Sequence, residues 1–205
     1  MAEDANMSAG FSTSGTGSLF VYGNPHSLIN YGNLIDFAFC DLFARCGNIV
    51  DASNVVLSAT SLAQDCYRGL FSRNTSLTAA PNLPASSLAS QCYYSMFSHC
   101  YALSTAPELS ATTLVSQCYM HMFNSCSSLF DAPILPASTL ATGSYDYMFS
   151  GCTSLTSINV NFTEWGNSTN WVNNVAPTGI FTKPEALTAR VGYNFVPYNW
   201  NVVNK

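Results

Sequence analysis

Charge is scarce in this chain: Asp, Glu, Lys and Arg make up 8% of its 205 residues, against 48% apolar ones. The six basic residues are scattered, which excludes nucleic acid as a partner, because affinity for phosphate backbones rests on clustered Lys and Arg. No apolar run reaches the roughly 18 residues of a membrane span, so no membrane insertion is expected. The opening MAEDANMSAGFSTSGTG lacks the basic start and apolar stretch of a secretion signal. Three readings follow: export information removed, a piece of a longer protein, or a chain assembled inside a cell into a virion. Cys-x-x-Cys spacing, the strong zinc signal, is missing despite eight cysteines, and neither a metal nor a cofactor is expected. Ser, Thr and Asn must cover much of the surface. That suits a cell-surface or extracellular protein better than a cytosolic enzyme.

What the chain does have is repetition. LAQDCYRGLFSRNTSLTAAPNLPASS from Leu62 is echoed by LASQCYYSMFSHCYALSTAPELSATT from Leu88, LVSQCYMHMFNSCSSLFDAPILPAST from Leu114 and LATGSYDYMFSGCTSLTSINVNF from Leu140. Phe71, Phe97, Phe123 and Phe149 keep a strict period of 26 residues. A weaker copy upstream carries Leu34, Phe39, Phe43, Cys46 and Ala52 in the same columns, with two residues inserted around residues 55–60. A period between about 20 and 50 marks a repeat architecture, in which each unit buries its apolar face against its neighbours.

Within a repeat the apolar period changes. Leu88, Cys92, Tyr93, Met96, Phe97 and Cys100 fall on one helical face, and Ser86 or Ser87 can cap its start. Leu103, Ala106 and Leu109 then follow with Pro107 between the last two, which suits a short, irregular strand.

The pattern C-Y-x-x-M-F-x-x-C-x-S-L-x-x-A-P-x-L-P-A resembles the BspA-like branch of leucine-rich repeats, over roughly residues 34–162. The flanks, GNPHSLINYG (residues 23–32) and NWVNNVAPTGIFTKP with FVPYNWNVV, also look like those of such proteins. The resemblance implies a surface adhesin of anaerobic gut or oral bacteria, or a protein encoded by their phages, and it carries over no catalytic residue.

The expected fold is therefore an α/β solenoid, a right-handed leucine-rich-repeat stack of about five helix–strand repeats of 26 residues with N- and C-terminal caps. Residues 1–33 would form an N-terminal segment whose Ser18–Tyr22 run is a capping strand, with Gly15, Gly17 and Gly23 at turns. Residues 34–162 would form the solenoid, and residues 163–205 an Asn- and Trp-rich C-terminal cap. Trp165, Trp171 and Trp200 are expected to plug the open end of the stack; the rival reading is a Trp-lined platform for a sugar or peptide.

Seven of the cysteines occupy two columns, Cys66/Cys92/Cys118 and Cys46/Cys100/Cys126/Cys152, and are read as free, buried thiols. Helices packed about 8–10 Å apart would hold a column too wide for disulfides. A catalytic Cys–His pair is not expected, since Cys100 belongs to the apolar face. Asn74-Thr-Ser and Asn167-Ser-Thr match a glycosylation acceptor by coincidence.

Two faces can bind. One is the strand ribbon, with outward ladders Thr78/Ser104/Phe130/Thr156, Ala79/Thr105/Asp131/Ser157 and Asn82/Glu108/Ile134/Val160; the other is the outer helical column Arg68/Tyr94/Met120/Asp146. Both vary where the core columns repeat. Thr78, Asn82, Thr105, Glu108, Phe130, Asp131, Tyr94 and Met120 are the candidate binding residues. The functional expectation is a non-enzymatic recognition or adhesion module for a protein or glycan on a host or cell surface. The alternative is a structural part of a virion or larger surface protein, with self-association possible.

Overall fold

The computed structural model describes residues 17–28 and 34–205. Of the expected N-terminal segment, residues 1–16, with the Gly15 turn, and residues 29–33 lie outside the described residues. Inside them the main expectation fails. The helix–strand leucine-rich-repeat stack does not form: there is no α-helix, only a four-residue 3-10 turn, Pro25–Leu28, and five short strands. Strands β1 (Leu19–Gly23) and β2 (Ile49–Val55) pair in parallel, and β3 (Ser157–Asn159), β4 (Ile180–Lys183) and β5 (Asn201–Asn204) form a second parallel sheet. β1 occupies the Ser18–Tyr22 region that reads as a strand.

The predicted helices are chains of turns instead. Every fourth residue in them takes a left-handed backbone: φ is 56° at Gln91, 53° at Ser95 and 61° at His99, and Gln117, His121 and Ser125 repeat the pattern one unit on. An α-helix requires negative φ throughout, so each such residue ends a turn. The backbone bonds alternate accordingly. Gln91, Tyr93, Ser95, Phe97 and His99 donate to Ser116, Cys118, Met120, Met122 and Asn124 of the next unit. Cys92, Tyr94, Met96, Ser98 and Cys100 donate three residues back, to Ala89, Gln91, Tyr93, Ser95 and Phe97.

One strand per repeat is also absent. Where those strands were expected, the middle units pair only through isolated parallel bridges, Asp51 with Ala79, Thr105 with Asp131 and Asp131 with Ser157. Pro81, Pro107 and Pro133 each stand two residues beyond such a bridge and have no N–H with which to extend it. In β2 and β3 the corresponding positions are Ser53 and Asn159, and there the strands continue.

The period of 26 nevertheless brings equivalent side chains into contact. Phe71–Phe97, Phe97–Phe123 and Phe123–Phe149 stack at centroid distances of 5.8, 5.7 and 5.8 Å. A second column runs from Phe39 through Tyr67, Tyr93, Tyr119 and Tyr145 to Trp171, at 5.7–6.3 Å. All of these rings from Phe71 and Tyr67 onward are essentially excluded from water. Each stacked pair contributes about 0.5–1.5 kcal/mol beyond its burial.

The two ends of the Tyr column are unlike. At the first, the His26 ring stacks on Phe39 and Tyr67 at 5.5 and 6.1 Å. Its Nε2 also shares a hydrogen bond with the Tyr67 hydroxyl, and Nδ1 one with Ser58 Oγ. At the other end Trp171 and Trp200 are buried, and their indole N–H groups donate to the Phe195 and Ala176 carbonyls at 2.9 Å. Gly179 lets Trp200 come this close, since a Cβ there would lie 2.7 Å from the indole and 2.4 Å from the Thr156 carbonyl oxygen. Trp171 and Trp200 are thus buried, and the three tryptophans form no exposed row.

Candidate functional site

Chemistry inside the units is muted. All eight cysteines are free, seven of them buried and Cys40 half-buried. Cys100, Cys126 and Cys152 aim Sγ at the carbonyl oxygens of Phe71, Phe97 and Phe123, at 3.2, 3.1 and 3.0 Å. Burial pushes the Cys66 and Cys100 thiols up to about 12 and the Cys118 thiol up to about 11, and Cys40 reaches about 11 through burial with help from Asp41. The wide helix spacing invoked for the cysteine columns does not apply, because ring neighbours in successive units lie under 6.5 Å apart. The side chains are instead satisfied as packing groups, with local carbonyls as acceptors in the Cys100 column. Asn74 replaces cysteine in that column and donates Nδ2 to both the Phe43 and Phe71 carbonyls. It is fully buried, which bars the glycosylation motif at that position.

The surface carries the variation. Backbone N–H groups of Thr78, Phe130 and Thr156 donate to the carbonyls of Val50, Ser104 and Phe130, which aligns the first expected ladder. Bridges from Asp51 to Ala79 and from Thr105 through Asp131 to Ser157 align the second, and Ser157 pairs onward with Ile180 and Ile180 with Asn201. Thr78, Thr105, Phe130 and Asp131 are exposed, Phe130 at 57%. Asn82, Glu108 and Ile134 are exposed too, Ile134 at 59%. The third ladder breaks at its end: Val160 is buried and bridges Leu135 rather than following Ile134. Phe130 and Ile134 thus stand as large apolar groups among Thr, Asp and Glu.

The other face is more self-occupied. Tyr94 and Met120 are half-buried. The Arg68 guanidinium sits 4.8 Å over the Tyr94 ring while pairing with Asp65 at 3.3 Å, and Asp146 accepts from the Thr169 N–H. Tyr94 also meets the His121 ring edge-on, and His121 stacks on Tyr147 at 4.7 Å. His121 and Tyr147 lie 26 residues apart in the sequence, and that spacing alone places them together.

A third feature went unread. Thr163, Glu164 and Trp165 face Ala186, Leu187, Thr188 and Arg190 across a cleft of about 410 Å³. Only the three tryptophans of this end were singled out, and Glu164 and Arg190 carry no motif that would flag them.

No protein-family model, curated protein or solved structure matches the chain.

Proposed function

We propose that the chain is a non-enzymatic recognition module that binds a protein or glycan through the face bearing Thr78, Asn82, Thr105, Glu108, Phe130 and Asp131. The observation that carries this is the row of exposed positions itself. Its backbone is fixed by bonds between units on either side of the step from Thr78 to Ser104, while its exposed side chains change from unit to unit. Packing dictates the buried columns and leaves these free to be chosen by a ligand. Phe130 and Ile134 supply apolar area at the centre, and Glu108 and Asp131 a polar rim, an arrangement common in binding surfaces. The Tyr94–Met120 face takes a lesser part, since Arg68 already covers Tyr94. The low charge and the resemblance to BspA-like repeats favour a cell-surface or extracellular setting, or a virion.

The test is binding of the full chain to a glycan array and to an isolated host surface-protein fraction, with Phe130→Asp and Glu108→Ala in parallel. Both residues are exposed, so the variants are expected to keep the unfolding midpoint and lose at least about tenfold in affinity, or about 1.4 kcal/mol. Ligand capture undiminished in both variants would move the site elsewhere.

A structural or assembly role is the second reading. Strands β1 and β5 each have one sheet neighbour among the described residues, and β5 leaves Val203 exposed. A parallel edge of that kind can take another strand. A concentration-dependent mass in sedimentation would favour this role.

A further inference from the structure

We infer that the cleft between residues 163–165 and 186–190 is a subsite for a single pyranose ring of a glycan, separate from the Phe130 face and independent of whether that face binds anything. Its volume, about 410 Å³, lies in the range of small-ligand sites. Both walls are held in place before any ligand arrives. On one side Thr163 donates its N–H to the Ser138 carbonyl. On the other, the Leu187 N–H closes a turn onto the Pro184 carbonyl, and the Val196 N–H donates to the Arg190 carbonyl. Trp165 Nε1 spans the two sides by donating to the Thr188 carbonyl at 2.7 Å. The indole is backed by Phe181, stacked at 6.0 Å, and by Phe195 edge-on at 5.3 Å. The Arg190 guanidinium rests over the same Phe195 ring at 5.6 Å.

The polar groups point to a polyhydroxylated ligand. Glu164, Thr163, Thr188 and Arg190 are all exposed, and Arg68–Asp65 is the one ion pair among the described residues. Glu164 and Arg190 therefore line one cleft without neutralising each other. A carboxylate only accepts and a guanidinium only donates, whereas a sugar hydroxyl does both. One ring can thus donate to Glu164 and accept from Arg190 while resting against the part of Trp165 that lines the cleft. The threonine hydroxyls add adaptable partners. An apolar ligand would leave these four groups unmatched.

Trp165 is the half-exposed tryptophan, while Trp171 and Trp200 are buried, so a ligand in the cleft acts on the indole emission through Trp165. The experiment titrates the full chain with methyl glycosides of glucose, galactose, mannose and N-acetylglucosamine, with glycine as a zwitterionic control. A saturable change in tryptophan emission is expected with at least one glycoside. Glu164→Gln and Arg190→Met should each weaken it at least about tenfold, in keeping with loss of a charge-assisted hydrogen bond. Both positions are exposed, so the unfolding midpoint should be unchanged in Glu164→Gln and fall only slightly in Arg190→Met, which loses the Arg190–Phe195 contact. A saturable response to none of the glycosides overturns the assignment. So does a response to glycine alone, or one that both variants keep at full strength. Failure of the Phe130→Asp test leaves these outcomes untouched, and the reverse also holds.

Discussion

Three histidines sit in partly buried places, and burial lowers the affinity of each for a proton. His26 is pressed against Phe39 and Tyr67, His99 lies near the Arg73 charge, and His121 is stacked on Tyr147, with Asp146 opposing its shift. A folded-state pKa below the unfolded value near 6.5 means the unfolded chain takes up protons first. The stability these neutral rings confer is complete above that value and declines as pH falls through it toward the folded pKa. The unfolding midpoint is therefore expected to drop between about pH 7.5 and pH 5, before the carboxylates titrate. His26→Phe, which keeps the ring contacts, should flatten part of that slope. A midpoint constant over this interval, or a slope unaltered in the variant, would disprove the account. The cysteines contribute nothing here, since burial holds them protonated throughout.

At the scale of the element, the turn chain is the feature to test. Ser95 adopts φ of 53°, a conformation costing an L-residue about 1–2 kcal/mol, whereas glycine enters it freely. After glycine's extra entropy is subtracted, Ser95→Gly should stabilise the chain by under about 1 kcal/mol. Ser95→Val should destabilise it by more than that, because branching at Cβ makes positive φ worse. In an α-helix the ranking would reverse, so equilibrium denaturation of the two variants decides between the structures. The sequence could show which residues are buried but not this backbone. Cys92, Met96 and Cys100, like Tyr93 and Phe97, recur every four residues, and a helix turns through about 40° beyond a full circle in four. Over so few turns the two geometries bury the same side chains. The legible trace was glycine at the positive-φ positions, Gly69, Gly143 and Gly151. The strands are overread for a simpler reason, since Pro107 reads as a mark of irregularity when it, like Pro81 and Pro133 in its column, also limits pairing. The exposure of Thr78, Thr105, Phe130 and Asp131 was legible because unlike residues stood out against repeated columns, though Val160, read on the same face, is buried; the Glu164–Arg190 cleft lies in shorter, non-repeating coils and had no such contrast.

For the whole molecule, the ring columns make one continuous core, and Trp171 is where the Tyr column ends. Trp171→Ala removes the ring that covers Tyr145 and Phe149 and is expected to cost about 3–5 kcal/mol. The loss should appear in thermal and denaturant unfolding. Hydrogen exchange should be fastest in the unit bearing Tyr145, with protection recovering toward Tyr93. Uniform deprotection along the chain would mean that the units do not transmit loss of the end ring in this graded way.

The repetition of the columns has a consequence for length. Phe71, Phe97 and Phe123 present almost the same neighbour on either side, so a chain from which residues 90–115 were excised would set Phe71 on Phe123 and Tyr67 on Tyr119 with no contact of a new kind. The same interchangeability permits mispairing during folding, in which one unit docks on the next but one. What distinguishes the true alignment is the minority of singular residues: His26 at one terminus of the column, Asn74 tying the Phe43 and Phe71 carbonyls together, and Trp171 at the other. These act as index marks on an otherwise uniform scale. Duplication or deletion of whole units can therefore lengthen or shorten this protein without redesign so long as those three are kept.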